Sequence, residues 1–95
     1  MGTADLLRFA EEFSSDCLEV MAEKNKLYGS AIDFTGLLGG VLECVVKSLR
    51  LREMVMRDGL HGRGEKEAIW DTLLDLHNYT IIAAYMLEQE NWEGK

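Results

Sequence analysis

Apolar residues recur every three or four positions along most of the chain, which is the spacing of one face of an α-helix. The first such stripe consists of Leu6, Phe9, Phe13, Cys17, Val20, Met21 and Leu27. Thr3 is a suitable N-cap for this segment, and Asp5 lies in its first turn, where a negative charge is favourable. The pattern predicts a helix over about 3–28, followed by a short link that ends near Gly36.

Two further helical segments follow the link. The second is predicted over about 35–58, because Asp33 or Thr35 can cap its start and Gly59 is a natural stop. The third is predicted over about 65–91, after the polar, glycine-rich turn GLHGRGE. Three long helices with short links predict a single all-α domain over 1–95, an antiparallel three-helix bundle. The third helix would be about 40 Å long, which predicts that a homodimer or higher homo-oligomer completes the core.

Composition narrows the classes of function. The chain has 95 residues and a net charge of -7, which argues against binding to nucleic acid polymers and is compatible with a divalent cation. No apolar run approaches the roughly 18 residues that span a bilayer, and the acidic N-terminus is unlike a signal peptide. We therefore expect a cytoplasmic protein without a membrane partner. The two cysteines, Cys17 and Cys44, predict neither a disulfide nor a zinc site, and we expect small apolar fillers.

An acidic stripe interrupts the third helix. On a helical wheel, Glu67, Asp71, Asp75 and Asn78 fall within an arc of about 80°. The same face continues as apolar residues, Ile82 and Met86. Because a solvated face would stay polar to its end, we expect the carboxylates to face a groove or the bundle interior. Burying a carboxylate costs several kcal/mol unless a cation compensates it.

The second helix carries a matching charged stripe of Glu43, Lys47 and Arg50. Its other positions are mostly apolar: Val41, Leu42, Val45, Val46, Leu49 and Met56. Two interpretations stay open for the two stripes, which we expect to pack face to face. One is a set of structural salt bridges between helices. The other is a Mg²⁺ site with Glu43, Asp71 and Asp75 as metal ligands, where Lys47 and Arg50 hold phosphates. His77 is expected to be a helix-packing or surface residue, and His61 to face solvent.

Three segments, KNKLYGSAIDF, KSLRL and EAIWDTLLDLHNYTIIA, together resemble the nucleotide modification associated domain of phage and prokaryotic proteins. The resemblance runs from about Lys24 to Ala84. That domain is similar in turn to the all-α nucleoside triphosphate pyrophosphohydrolases, the MazG and dimeric dUTPase group. The resemblance implies an all-α NTP pyrophosphatase-like fold, in which carboxylates of two adjacent helices hold Mg²⁺ on an NTP or dNTP. Here Glu43 would be the second-helix carboxylate, and the catalytic set would be Glu67, Asp71 and Asp75.

The nucleotide hypothesis adds further candidate ligand contacts. Lys24 and Lys26 would assist with the phosphates, Asn78 lies on the acidic arc, and Tyr28, Trp70 or Tyr79 would stack on the base. The chain has a lone Glu43 where the pyrophosphohydrolases carry Glu-x-x-Glu, so nucleotide binding is implied more directly than hydrolysis. Our first hypothesis is a Mg²⁺-dependent nucleotide-binding protein that acts on nucleotide pools or nucleotide modification. The second is a non-catalytic helical oligomer, a scaffold or interaction module whose charges form structural salt bridges.

Overall fold

The computed structural model describes the backbone of residues 2–58 and 63–89, with the side chains of that part except for 25–35, 58 and 63–65. It contains two assigned helices, α1 (Thr3–Asp58) and α2 (Arg63–Gln89). Gly36 interrupts α1 with a non-helical conformation, φ 69° and ψ -157°, and so divides it into an N-terminal arm (3–35) and a C-terminal arm (37–58). The described part of the chain is 99% helical and has no strand, which confirms the all-α prediction.

Gly36 is the point at which α1 turns back. A straight helix of 56 residues would be about 84 Å long at 1.5 Å per residue, whereas the longest dimension of the molecule is 47 Å. The backbone conformation of Gly36 lies in a region that is essentially restricted to glycine. The structure therefore differs from the predicted link: the backbone is helical as far as residue 35, because one glycine with a positive φ bends the chain without a loop.

The N-terminal arm runs parallel to α2. Its contacts advance along both helices together, from Phe9 against Trp70 to the hydrogen bond between Cys17 and Asn78. The C-terminal arm runs antiparallel to α2, since Cys44 lies 3.8 Å from Thr80 and Lys47 lies 4.0 Å from Asp75. These directions are those of an up-down-up three-helix bundle.

Aromatic side chains join the start of α1 to α2. The ring of Phe13 lies edge-on to Trp70 with 5.1 Å between centroids, and edge-on to His77 at 5.8 Å. Phe9 stacks on Phe13 at 6.0 Å and lies edge-on to Trp70 at 6.1 Å. Each such pair contributes roughly 0.5–1.5 kcal/mol beyond its buried area. This cluster fixes how the N-terminal arm sits on α2.

The described side chains form a thin core. Among them, Cys17 is the one apolar side chain that is buried. Thr72 and Asn78 are buried polar residues. From the predicted stripe, Phe13, Val20 and Met21 are half-buried, whereas Leu6 and Phe9 are exposed. α2 begins two residues before its predicted start and the C-terminal arm begins two residues after its own, differences that are normal for helix ends. The predicted end of α2 near residue 91 lies outside the described residues.

Candidate functional site

A polar strip lies between the C-terminal arm and α2. Lys47 Nζ is 4.0 Å from Asp75 Oδ2, and the two side chains are 15% and 31% exposed. The same ammonium lies 5.9 Å from the centre of the Tyr79 ring. Lys47 points inward because it is seven residues, close to two full turns, from both Gly40, which is buried, and Met54, which is half-buried. The inward face of this arm is therefore charged, as the sequence predicts for Lys47.

The Lys47–Asp75 contact is electrostatic rather than a hydrogen bond. A nitrogen-to-oxygen distance of 4.0 Å exceeds the range of a hydrogen bond. The carboxylate and the face of the Tyr79 ring both stabilise a nearby cation, although the ring lies at the far limit of that interaction. Lys47 thus carries a largely desolvated positive charge that a closer anion could engage.

The predicted carboxylates are distributed along the strip instead of meeting at one point. Glu43 is half-buried on the inward face, one turn before Lys47, whereas Glu67 and Asp71 are exposed. Of the three α2 carboxylates, Asp75 is half-buried against Lys47 of the C-terminal arm, whereas Asp71 and Glu67 lie one and two turns nearer the start of α2. The described residues contain no group of three His, Cys, Asp or Glu side chains close enough to hold one metal ion. The expected convergence of Glu43, Asp71 and Asp75 is therefore not found within a single chain.

Glu67 and Asp71 line a shallow groove at the start of α2. Lys66 and Trp70 complete its lining, and its volume is about 310 Å³. Trp70 is 41% exposed, so a flat apolar ring stands beside two carboxylates at the surface. The remaining phosphate candidates lie elsewhere: Arg50 and Lys24 are exposed, and the side chains of Lys26 and Tyr28 lie outside the described residues.

Asn78 has a structural role that differs from the predicted ligand contact. Its side chain is fully buried, and its Nδ2 donates a hydrogen bond to the backbone carbonyl of Cys17 at 2.9 Å. Its Oδ1 lies 3.0 Å from Nδ1 of His77, whose Nε2 lies 3.2 Å from Oγ of Ser14. Since Oδ1 is an acceptor, Nδ1 carries the proton and Nε2 accepts from the Ser14 hydroxyl. Asn78 thus bonds to the N-terminal arm directly through Nδ2 and, through Oδ1, to His77 of its own helix, which in turn reaches Ser14. His77 is a helix-packing residue, one of the two roles predicted for it.

The Ser14–His77–Asn78 chain has the hydrogen-bond order of a nucleophile, a base and an orienting group. It lacks the remaining requirement for acyl transfer, because Ser14 lies in the middle of a helical arm, where backbone N–H groups are bonded along the helix and cannot form an oxyanion hole. We therefore assign these three hydrogen-bonded side chains to helix packing. Ser14 gives no sign of this role in the sequence, since its partner is 63 residues away.

Cys17 is an unreactive thiol. Burial raises its pKa, the negative charge of Asp16 raises it further, and a backbone hydrogen bond opposes these effects only in part. The thiol therefore stays protonated at neutral pH, which leaves little of the nucleophilic thiolate. Cys17 and Cys44 are both free thiols in the structure, Cys17 buried and Cys44 half-buried.

No helix among the described residues has the length and apolar character needed to cross a bilayer. No protein-family model matches the chain, and neither does any curated protein or solved structure. The nucleotide hypothesis therefore rests on the three sequence segments and on the polar strip.

Proposed function

We propose that this chain is a Mg²⁺-dependent nucleotide-binding protein, similar in chemistry to nucleoside triphosphate pyrophosphohydrolases. One observation supports it above the others: Lys47 and Asp75 face each other inside the bundle, where the charged residues lie among half-buried apolar ones. Helical bundles build ligand sites from polar side chains on facing helices. An inward lysine beside an inward carboxylate offers one group for a phosphate and one for a cation.

The residues of the strip fit the coordination habits of Mg²⁺. This ion usually binds through one or two carboxylates, with waters and substrate phosphates as its other ligands. Asp75, with the half-buried Glu43 on the facing arm, supplies that number, so a cage of three carboxylates is not required. The ion would supply charge neutralisation for the phosphates.

The side chains would divide the remaining work. Lys47 would donate to phosphate oxygens at closer range than its present 4.0 Å contact with Asp75. Glu67 and Asp71, in the groove beside Trp70, would orient water or outer-sphere ligands, and the indole face would pack on a base. Hydrolysis, if the chain performs it, would use one of these carboxylates to position the attacking water.

The second candidate function is a non-catalytic helical oligomer. The Lys47–Asp75 contact favours it too, because a pair of opposite charges on facing helices compensates itself without any ligand. In this case Asp75 serves stability alone. The two functions therefore make opposite predictions for the same substitution.

The test is thermal unfolding of the wild type and Asp75→Asn, each with and without Mg²⁺ and a nucleoside triphosphate. If the strip binds nucleotide, the ligands stabilise the wild type by about 2.7 kcal/mol at one hundred times their dissociation constant, and Asp75→Asn loses that gain. Asp16→Asn, an exposed carboxylate on the N-terminal arm, is the matched control and should keep it. A parallel measurement of pyrophosphate release across nucleoside triphosphates reports on catalysis.

The contrary result is equally definite. If the pair is only structural, the ligands leave the wild type unchanged and Asp75→Asn destabilises the ligand-free protein. We expect that loss to be about 1–2 kcal/mol, less than for a fully buried pair, because Asp75 is 31% exposed and the contact is long. Such a pattern would reject nucleotide binding in favour of the scaffold.

A further inference from the structure

The C-terminal arm of α1 is largely apolar on the face that it exposes as well as on the face that it packs. The face that packs on α2 carries Glu43 and Lys47 beside the apolar Leu51 and Met54, all of them half-buried. The opposite face is mostly apolar and exposed to between 43% and 78%, at Leu38, Val41, Leu42, Val45, Leu49 and Met56. A helix that packs against a neighbour on one side normally exposes polar residues on the other side. This arm instead exposes a second apolar face, which offers a surface for a partner.

The spacing of the exposed residues specifies what kind of partner fits. Six positions of this arm are separated by alternating steps of four and three residues, and together we call them the outer seam: Leu38, Leu42, Val45, Leu49, Arg52 and Met56. This is the repeat with which one α-helix packs along another in a coiled coil. Five of the six are apolar. The seam is therefore shaped for a second helix lying along it, more than for a globular ligand.

The surface area of the chain agrees with a missing partner of matching size. The accessible surface is 7231 Å², whereas a compact monomer of this mass, 10.8 kDa, exposes about 5,500 Å². The radius of gyration is 15.3 Å, against about 12 Å for a compact domain of this length. The excess of about 1,700 Å² per chain would amount to about 3,400 Å² in a pair, within the range of obligate homodimers.

We propose that the outer seam binds the outer seam of a second copy of this chain, with the two arms antiparallel. A second copy fits because the seam is self-complementary and a two-fold interface uses the same patch twice. The direction follows from Arg52, the one charged seam position. Parallel arms would place Arg52 against its own copy, whereas antiparallel arms centred near residue 47 place it beside Leu42, where its stem packs and its charge reaches the rim.

The residues beside the seam fit the same arrangement. In antiparallel arms with this centre, Val46 meets Val46 of the partner subunit across the two-fold axis, and Val41 approaches Val55 of the partner subunit. All three are exposed in the single chain. The seam lies on the side of the arm away from Lys47, so the pairing goes beyond the nucleotide proposal and does not depend on it.

The first experiment measures mass in solution by sedimentation equilibrium for the wild type, Leu49→Glu and Leu7→Glu. Leu7 is an exposed leucine of similar exposure on the N-terminal arm, so it controls for the loss of an apolar surface residue. We expect the wild type and Leu7→Glu to be dimers at micromolar concentration. Leu49→Glu, which places a charge in the seam twice per dimer, should weaken association at least about 100-fold. A monomeric wild type, or an unchanged dissociation constant in Leu49→Glu, would overturn the proposal.

The second experiment fixes the direction and does not require a destabilising change. In a Cys44→Ser background, Val46→Cys and Arg52→Cys are oxidised mildly and run on a non-reducing gel. Antiparallel seams bring the two copies of position 46 together and keep the two copies of position 52 about 15 Å apart at 1.5 Å per residue. Cross-linked dimer with Val46→Cys and little with Arg52→Cys is expected. The reverse pattern, or no cross-link with either, would refute the antiparallel pairing even if Leu49→Glu fails to fold.

Discussion

Replacing Asn78 with alanine tests whether one buried amide holds α2 against the N-terminal arm. The substitution removes the 2.9 Å hydrogen bond to the Cys17 carbonyl and the 3.0 Å contact with His77. Each bond contributes about 1 kcal/mol net. The Cys17 carbonyl keeps its own helical donor four residues on, so it is not left without a partner. Adding a small cavity term, we expect a loss of about 2–3 kcal/mol in the free energy of unfolding.

That loss is a large fraction of the total free energy of unfolding. A domain of this length is stable by about 5–14 kcal/mol, and 1 kcal/mol shifts its melting temperature by about 4–8 °C. Asn78→Ala should therefore melt at least about 8 °C below the wild type. Urea unfolding followed by circular dichroism at 222 nm gives the free energy directly, at one fixed protein concentration because association adds to stability.

Thr72→Ala is the matched control. Thr72 is also buried on α2, at 7% exposed, but its hydroxyl bonds within its own helix, to the carbonyl of Ala68 at 2.8 Å. Alanine has the higher helix propensity, which offsets part of the lost methyl packing, so we expect a change below about 1 kcal/mol. If Asn78→Ala lost no more than Thr72→Ala, the inter-helix hydrogen bond would not contribute as argued, and Asn78 would be open again to another role.

Three further predictions follow, one from the backbone and two from the thiol. Gly36→Ala should cost about 1–3 kcal/mol through backbone strain alone, since an added Cβ meets nothing within 4 Å; Gly2→Ala, whose Cβ would rest 3.5 Å from Asp5, is the control, and equal urea midpoints would contradict the assignment. Cys17 should resist iodoacetamide in the folded protein and react after unfolding, with Cys44→Ser used to isolate its signal; rapid labelling of the native state would contradict its burial. Because its folded pKa is raised, Cys17 also contributes stability that is complete at neutral pH and declines above about pH 8.5, where the unfolded thiol ionises.

The sequence predicted what depends on helical periodicity. The class of fold, the burial of Cys17 and the inward direction of Lys47 all follow from spacing of three and four residues. Two features escaped it for physical reasons. Asn78 bonds to a main-chain carbonyl, a group present at every position that leaves no mark on the sequence. The turn at Gly36 could not be located among nearby glycines, because helix propensity does not say which one adopts a positive φ.

The candidate site was predictable in its composition but not in its layout. Glu67, Asp71 and Asp75 share an arc on the wheel, and that arc does not specify where the neighbouring arm begins and ends. Only the packed structure reveals that Asp75 meets Lys47 while the other two stay at the surface. The apolar outer face of the C-terminal arm was foreshadowed by the mostly apolar sequence of that helix. Which side faced α2 depended on the direction set at Gly36.

Gly36 connects the two arms of α1 without a loop between them. A loop absorbs an inserted residue, whereas a helix passes it on as a rotation of 100° and a shift of 1.5 Å. One residue added or deleted next to Gly36 would therefore turn Lys47 away from Asp75 and bring part of the apolar side against α2, although every side chain in the arm is unchanged. An insertion of seven residues nearly completes two turns and would restore the facing. Whether an insertion or deletion here is tolerated should therefore depend on the rotation that it imposes on the C-terminal arm, more than on the number of residues involved.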